Sequence, residues 1–112
     1  MERSDQDLVR ICKTGDVAPG SVKRAEAVGF PPLAVFNLAG TFYVTDDTCT
    51  HGQASLADGY VEGDQIECPW HSGRFCIRTG EPRAFPVVAP IRTYAVTVVG
   101  DDVCIAPTQS ES

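Results

Sequence analysis

Apolar and β-branched residues recur along this chain in short runs: LVRIC (8–12), SVKRAEAV (21–28), LAVFNLA (33–39) and TFYVT (41–45). Runs of this length, bounded by glycine, proline and aspartate, predict strands. Gly40 alone separates the third run from the fourth, and Gly63-Asp64 divides YVE from QIEC, so both positions predict hairpins. RFCI (74–77) leads into a turn at Arg78-Thr79-Gly80-Glu81. TYAVTVV (93–99), GDD and VCIA (103–106) predict a last hairpin, and Pro82, Pro86 and Pro90 make the connection before it stiff and non-helical. No window carries a helical period, and the tail PTQSES is expected to be loose. Closely spaced short strands predict an all-β fold, an antiparallel sandwich or small barrel.

Two segments break the pattern. THGQASLADG and PWHSG hold too few large apolar residues to be core strands, and they predict loops carried by the scaffold. Each lies beside one cysteine and contains one histidine: Cys49-Thr50-His51 in the first, Cys68-Pro69-Trp70-His71 in the second. The chain has no other histidine.

Length and charge narrow the function. The 112 residues make one domain, 1–112, of globular composition. A net charge of −6 argues against nucleic-acid binding, which needs lysine and arginine against phosphate. The polar start MERSDQDLVRICK resembles no signal peptide, and no run is long enough to span a bilayer, so a cytoplasmic protein is expected, away from membranes. Five cysteines is an odd count that favours metal binding or free thiols over a disulfide framework. Cys12, Cys76 and Cys104 lie in strand-like apolar runs and are expected to be small core residues.

Thiolate and imidazole suit zinc, iron and copper, whereas calcium and magnesium take oxygen. A structural zinc accounts for four ligands, but its usual spacings are CxxC and HxxxH. In an extended segment residues two apart share a face, so Cys49 and His51 project in parallel and can reach two different atoms. The pattern C-x-H-x16-C-x-x-H resembles the Rieske [2Fe–2S] motif. From about Leu8 to about Ala106 the chain is similar to the small Rieske ferredoxins of bacterial aromatic-ring dioxygenase systems.

That resemblance implies a Rieske-type antiparallel sandwich with a small cluster-binding subdomain at about 46–84, built on two ligand loops. It implies one [2Fe–2S] cluster, with Cys49 and Cys68 on the inner iron and His51 and His71 on the outer, exposed iron. Pro69, Gly52 and Gly73 would shape the loops. With two thiolates in place of four, the oxidised centre is about neutral rather than −2, which raises its potential. High-potential members of the family carry a loop disulfide and two hydroxyls that hydrogen-bond sulfur. Ala54 and Trp70 stand at the disulfide positions here, and Gly73 and Phe75 at the hydroxyl positions. The implied potential is therefore at the low end of the Rieske range, about −150 mV.

The implied role is a monomeric one-electron carrier rather than an enzyme. It takes electrons from a flavoprotein ferredoxin reductase and delivers them to a terminal Rieske oxygenase in aromatic hydrocarbon catabolism. Two histidines leave none for the mononuclear iron of an oxygenase. The alternatives are a small Rieske subunit of a nitrite-reductase-like complex and a structural zinc module. The loop residues are uncharged, and Trp70 is either exposed beside His71 or packed under the first loop. Asp46, Asp47, Asp58, Glu62, Asp64 and Glu67, with no lysine or arginine among residues 46–67, predict an acidic collar that steers basic partners.

Overall fold

The computed structural model describes residues 8–50, 54–69, 73–85, 87 and 89–106. Among the described residues eleven strands form three antiparallel sheets: β1 (Val9–Lys13), β2 (Ser21–Ala25), β3 (Leu33–Leu38), β4 (Thr41–Asp46), β5 (Tyr60–Glu62), β6 (Gln65–Glu67), β7 (Arg74–Cys76), β8 (Pro82–Ala84), β9 (Thr93–Tyr94), β10 (Val96–Val99) and β11 (Asp102–Ile105). The strand orders are β1-β11-β10, β2-β3-β4-β9 and β5-β6-β7-β8.

The middle sheet explains the layering. All of Leu33, Ala34, Val35, Phe36 and Asn37 are buried, so β3 is covered on both faces. Leu33 and Val35 join Val44, Tyr94, Val103 and Ile105 in one apolar cluster beneath the β1-β11-β10 sheet. Ala34 and Phe36 point the other way, to Leu56, Ile66, Phe75, Ile77, Cys49 and Cys68. A continuous apolar run is what a strand between two cores requires, since alternate side chains serve opposite faces. Each large side chain fully buried here contributes roughly 1.5–3 kcal/mol.

Both expected hairpins form. Leu38 pairs with Thr41 across Ala39 and Gly40, whose φ angles of 55° and 95° are the left-handed backbone conformations that a two-residue hairpin turn needs. Glu62 pairs with Gln65 across Gly63-Asp64.

Two expectations are corrected, and the proline-rich connection, non-helical as expected over its described residues, gains a strand. The run 21–28 ends as a strand at Ala25, because Phe30 N–H closes a turn on Ala27 C=O that Gly29, at φ 88°, makes possible. TYAVTVV is two strands: Thr93–Tyr94 pairs with β4, and after Ala95 the chain crosses to pair Val96–Val99 with β11. The proline-rich connection contains β8, an edge strand that starts at Pro82, where no ladder N–H is needed. The tail 107–112 and Pro86 lie outside the described residues. No helix among the described residues is long and apolar enough to cross a membrane.

Candidate metal centre

The two cysteines of the motif begin two loops of equal reach. Cys49 N–H donates to Ala54 C=O at 2.9 Å, and Cys68 N–H donates to Gly73 C=O at 2.7 Å. In each case the acceptor lies five residues on. Both cysteines are 2% exposed and sit in one core cluster with Ala54, Leu56, Phe75 and Val87. Their side chains therefore lie within the layer under β3.

The loops are rooted differently. The second is the end of a regular hairpin, with Glu67 opposite Arg74 and Ile66 opposite Phe75. The first follows β4 and has a single bridge, Thr48 opposite Ser55. Asp47 adds further ties: its carboxylate accepts from Ser55 Oγ at 2.5 Å and from Ala57 N–H at 2.9 Å.

A segment from Ala84 to Ile91 straps both roots. Thr50 Oγ1 donates to Ala89 C=O at 2.9 Å, and Val87 N–H donates to Ala84 C=O at 3.1 Å. Val87 lies so close to Gly73 that a Cβ on the glycine would overlap its Cγ2. Val87 and Ile91 both belong to the core that holds the cysteines. Phe85, at the turn of this strap, is 84% exposed.

Arginines from outside 46–67 answer most of the acidic collar. Arg74 pairs with Glu62 at 2.9 Å and Glu67 at 3.2 Å, Arg78 with Asp64 at 3.7 Å, and Arg92 with Asp46 at 3.9 Å. Asp47 is buried rather than solvated. Asp58 remains, exposed and without an ion pair among the described residues. The acidic collar expected from the sequence is thus largely answered by paired charges on ordinary hairpin surface, each pair contributing little where it is exposed.

His51, His71, Gly52, Gln53, Trp70 and Ser72 lie outside the described residues, so the histidine ligands and the placement of Trp70 do too. Among the described residues no three His, Cys, Asp or Glu side chains converge on a metal position. Cys76 and Cys104 are buried free thiols as expected, whereas Cys12 is half-buried at the edge of the other core. Burial pushes the Cys104 and Cys12 thiols up. Burial also acts upward on Cys76, but hydrogen bonds from Thr79 and Arg83 outweigh it and bring that thiol below its ordinary value.

Ser55 and the strap were not singled out in the sequence, and Asp47 was read only as one charge of the acidic collar. An aspartate two residues before Cys49, matching the inward side of an extended segment, was the available signal.

The sequence profile of the Rieske [2Fe–2S] domain matches residues 7–95. The ferredoxin component of biphenyl 2,3-dioxygenase from Rhodococcus jostii (strain RHA1) is 45% identical over 98 residues, covering 88% of this chain and 91% of that protein. The solved ferredoxin of Sphingomonas yanoikuyae B1 superposes with a TM-score of 0.86 at 45% identity, covering 88% of this chain and 97% of the other. A second solved chain, from a complex of reduced oxygenase and oxidised ferredoxin in carbazole 1,9a-dioxygenase, gives a TM-score of 0.87 at 40% identity. It covers 96% of this chain and 100% of that one. Two buried sulfur donors, each opening a loop of the same reach in one core, fit the [2Fe–2S] group that this family carries. The fold, the matched profile and the relatives together make this chain a member of the Rieske [2Fe–2S] domain family.

Proposed function

We propose that the protein is the one-electron carrier of an aromatic-ring dioxygenase system. In this reading Cys49 and Cys68 hold the inner iron and His51 and His71 the outer iron of one [2Fe–2S] cluster. When bound, that group supplies reversible one-electron chemistry. The chain's residues do the rest: the buried core keeps water from the cysteine side, and the two loops present the histidine side to a partner. The observation that carries this reading is the matched pair of loops, each starting at a buried cysteine and closed on the carbonyl five residues later.

A potential near the low end of the Rieske range, about −150 mV, is supported by the surroundings of the cysteines. Phe75 is fully buried in their cluster and has no hydroxyl, and Val87 leaves no room for a side chain at position 73. Ala54 offers no sulfur for a loop disulfide. The electron source is a flavoprotein ferredoxin reductase and the acceptor a terminal Rieske oxygenase. The carrier works as a monomer in the cytoplasm, as one domain over 1–112 in which residues 46–84 form the cluster-binding unit. Kinship with dioxygenase ferredoxins supports this assignment of partners.

The test is anaerobic purification, dithionite reduction and EPR, beside iron and sulfide analysis. Two irons and two sulfides per chain are expected, with a rhombic spectrum whose average g lies below that of all-cysteine clusters. A colourless, EPR-silent protein holding one zinc overturns the proposal.

A further inference from the structure

The carboxylate of Asp47 is the one buried carboxylate among the described residues, at 2% exposure. Every polar group it owns is used. Its N–H donates to Pro32 C=O at 2.9 Å, and its C=O accepts from Leu56 N–H at 2.7 Å. Its two carboxylate oxygens accept separately from Ser55 Oγ and Ala57 N–H. No lysine or arginine pairs with it among the described residues, so dipoles alone balance its charge.

Position gives this charge a use. Burial alternates at the root of the first loop: Asp47 and Cys49 are buried, while Thr48 and Thr50 are exposed. The chain bends at Asp47, and two residues of backbone hold its Cα within about 7 Å of that of Cys49, with both residues buried at the same root. The second loop has a hairpin ladder at this point, whereas the first has one bridge.

From this geometry we infer that Asp47 is a positioning residue for the group held by Cys49: its carboxylate clasps the first loop where strand pairing is limited to one bridge, and its buried charge, paired with no cation among the described residues, lowers the reduction potential. Adding an electron beside a fixed negative charge in a poorly solvated site is opposed far more than in water. The same carboxylate, by accepting from Ser55 and Ala57, ties the two ends of the first loop together beside Cys49, which is buried in the core. The inference rests on the ligand set proposed above.

The test uses the cluster-loaded protein and two readouts. By protein-film voltammetry, Asp47→Asn, which keeps the side-chain shape and removes the charge, is expected to move the potential positive. The expected size is at least tenfold in the reduction equilibrium, about 59 mV for a one-electron couple. Asp58→Asn, an exposed carboxylate in the neighbouring 3₁₀ turn at Leu56–Asp58, is expected to leave the potential in place. By chelator challenge, Asp47→Ala is expected to release iron at least tenfold faster than the parent, with Ser55→Ala in between. Ser55→Ala removes one clasp bond only and serves alone if Asp47→Ala does not fold. An unchanged or more negative potential in Asp47→Asn, an equal shift in Asp58→Asn, or iron release from Ser55→Ala at the parent rate overturns the inference. A parent protein without two irons and the rhombic spectrum instead overturns the ligand assignment, so the two failures are told apart.

Discussion

Gly73 and Phe75 show how single residues set what the centre can do. A side chain at position 73 meets Val87, which is β-branched and held in the core, so it has little room to give. Gly73→Ser is therefore expected to destabilise the protein by about 1–3 kcal/mol, the scale of overpacking. Gly73→Ser with Val87→Ala is expected to recover part of that loss, and thermal denaturation of both variants checks it. Phe75→Tyr adds a hydroxyl within the core that holds both cysteines. A buried hydroxyl needs a partner, and a ligand sulfur is the acceptor expected to supply one, stabilising the reduced form. Voltammetry of Phe75→Tyr is expected to give a more positive potential than the parent, and a lower one argues against this placement.

Among the elements, β9 is the shortest strand and the one most dependent on side chains. It pairs with β4 through only two residues, and Tyr94 reinforces that pairing by donating its hydroxyl to Asp46 at 2.5 Å. Its ring meets Phe30 edge-on at 5.8 Å. Burial, then the hydrogen bond to Asp46 and its negative charge, push the Tyr94 phenol up to about 12. The folded state thus holds this proton more tightly than the unfolded chain, whose tyrosine titrates near 10. The stabilisation is complete below about pH 10 and is lost as pH rises through about 12. Denaturant titrations from pH 9 to 12 are expected to show stability falling across this window, and Tyr94→Phe is expected to flatten the fall. The division of TYAVTVV into β9 and β10 was not legible beforehand. Every residue in that run favours a strand, and nothing local says that the chain leaves one sheet for another at Ala95.

At the scale of the molecule, three layers turn a small β protein into a holder with one working end. The middle sheet separates a core that contains no cysteine of the motif from the core that contains both. The strap from Ala84 to Ile91 ties the two loops together, and its exposed Phe85 stands beside the root of the second loop, since Ala84 pairs with Arg74. An exposed aromatic ring at such a place suits a transient contact with the acceptor proposed above. Phe85→Ala is expected to leave the melting temperature in place and weaken binding to the terminal oxygenase by about tenfold, or about 1.4 kcal/mol. Titration calorimetry reads it, and unchanged affinity removes Phe85 from the docking surface. The arginines that answer the collar all lie beyond residue 67, from Arg74 in the same hairpin as Glu67 to Arg92 against Asp46. A window restricted to residues 46–67 therefore sees only the acidic half.

The four candidate ligands, the hairpins at Gly40 and Gly63-Asp64 and the all-β class were legible along the chain because each depends on spacing over a few residues. Two short Cys/His clusters, a glycine between apolar runs and alternation with a period of two are local signals. Burial of Asp47, the overlap that bars a side chain at Gly73, the neutralised collar and the crossing at Ala95 arise from contacts between segments far apart in sequence. Such contacts form only when whole sheets stack, so their physics belongs to packing and not to pattern.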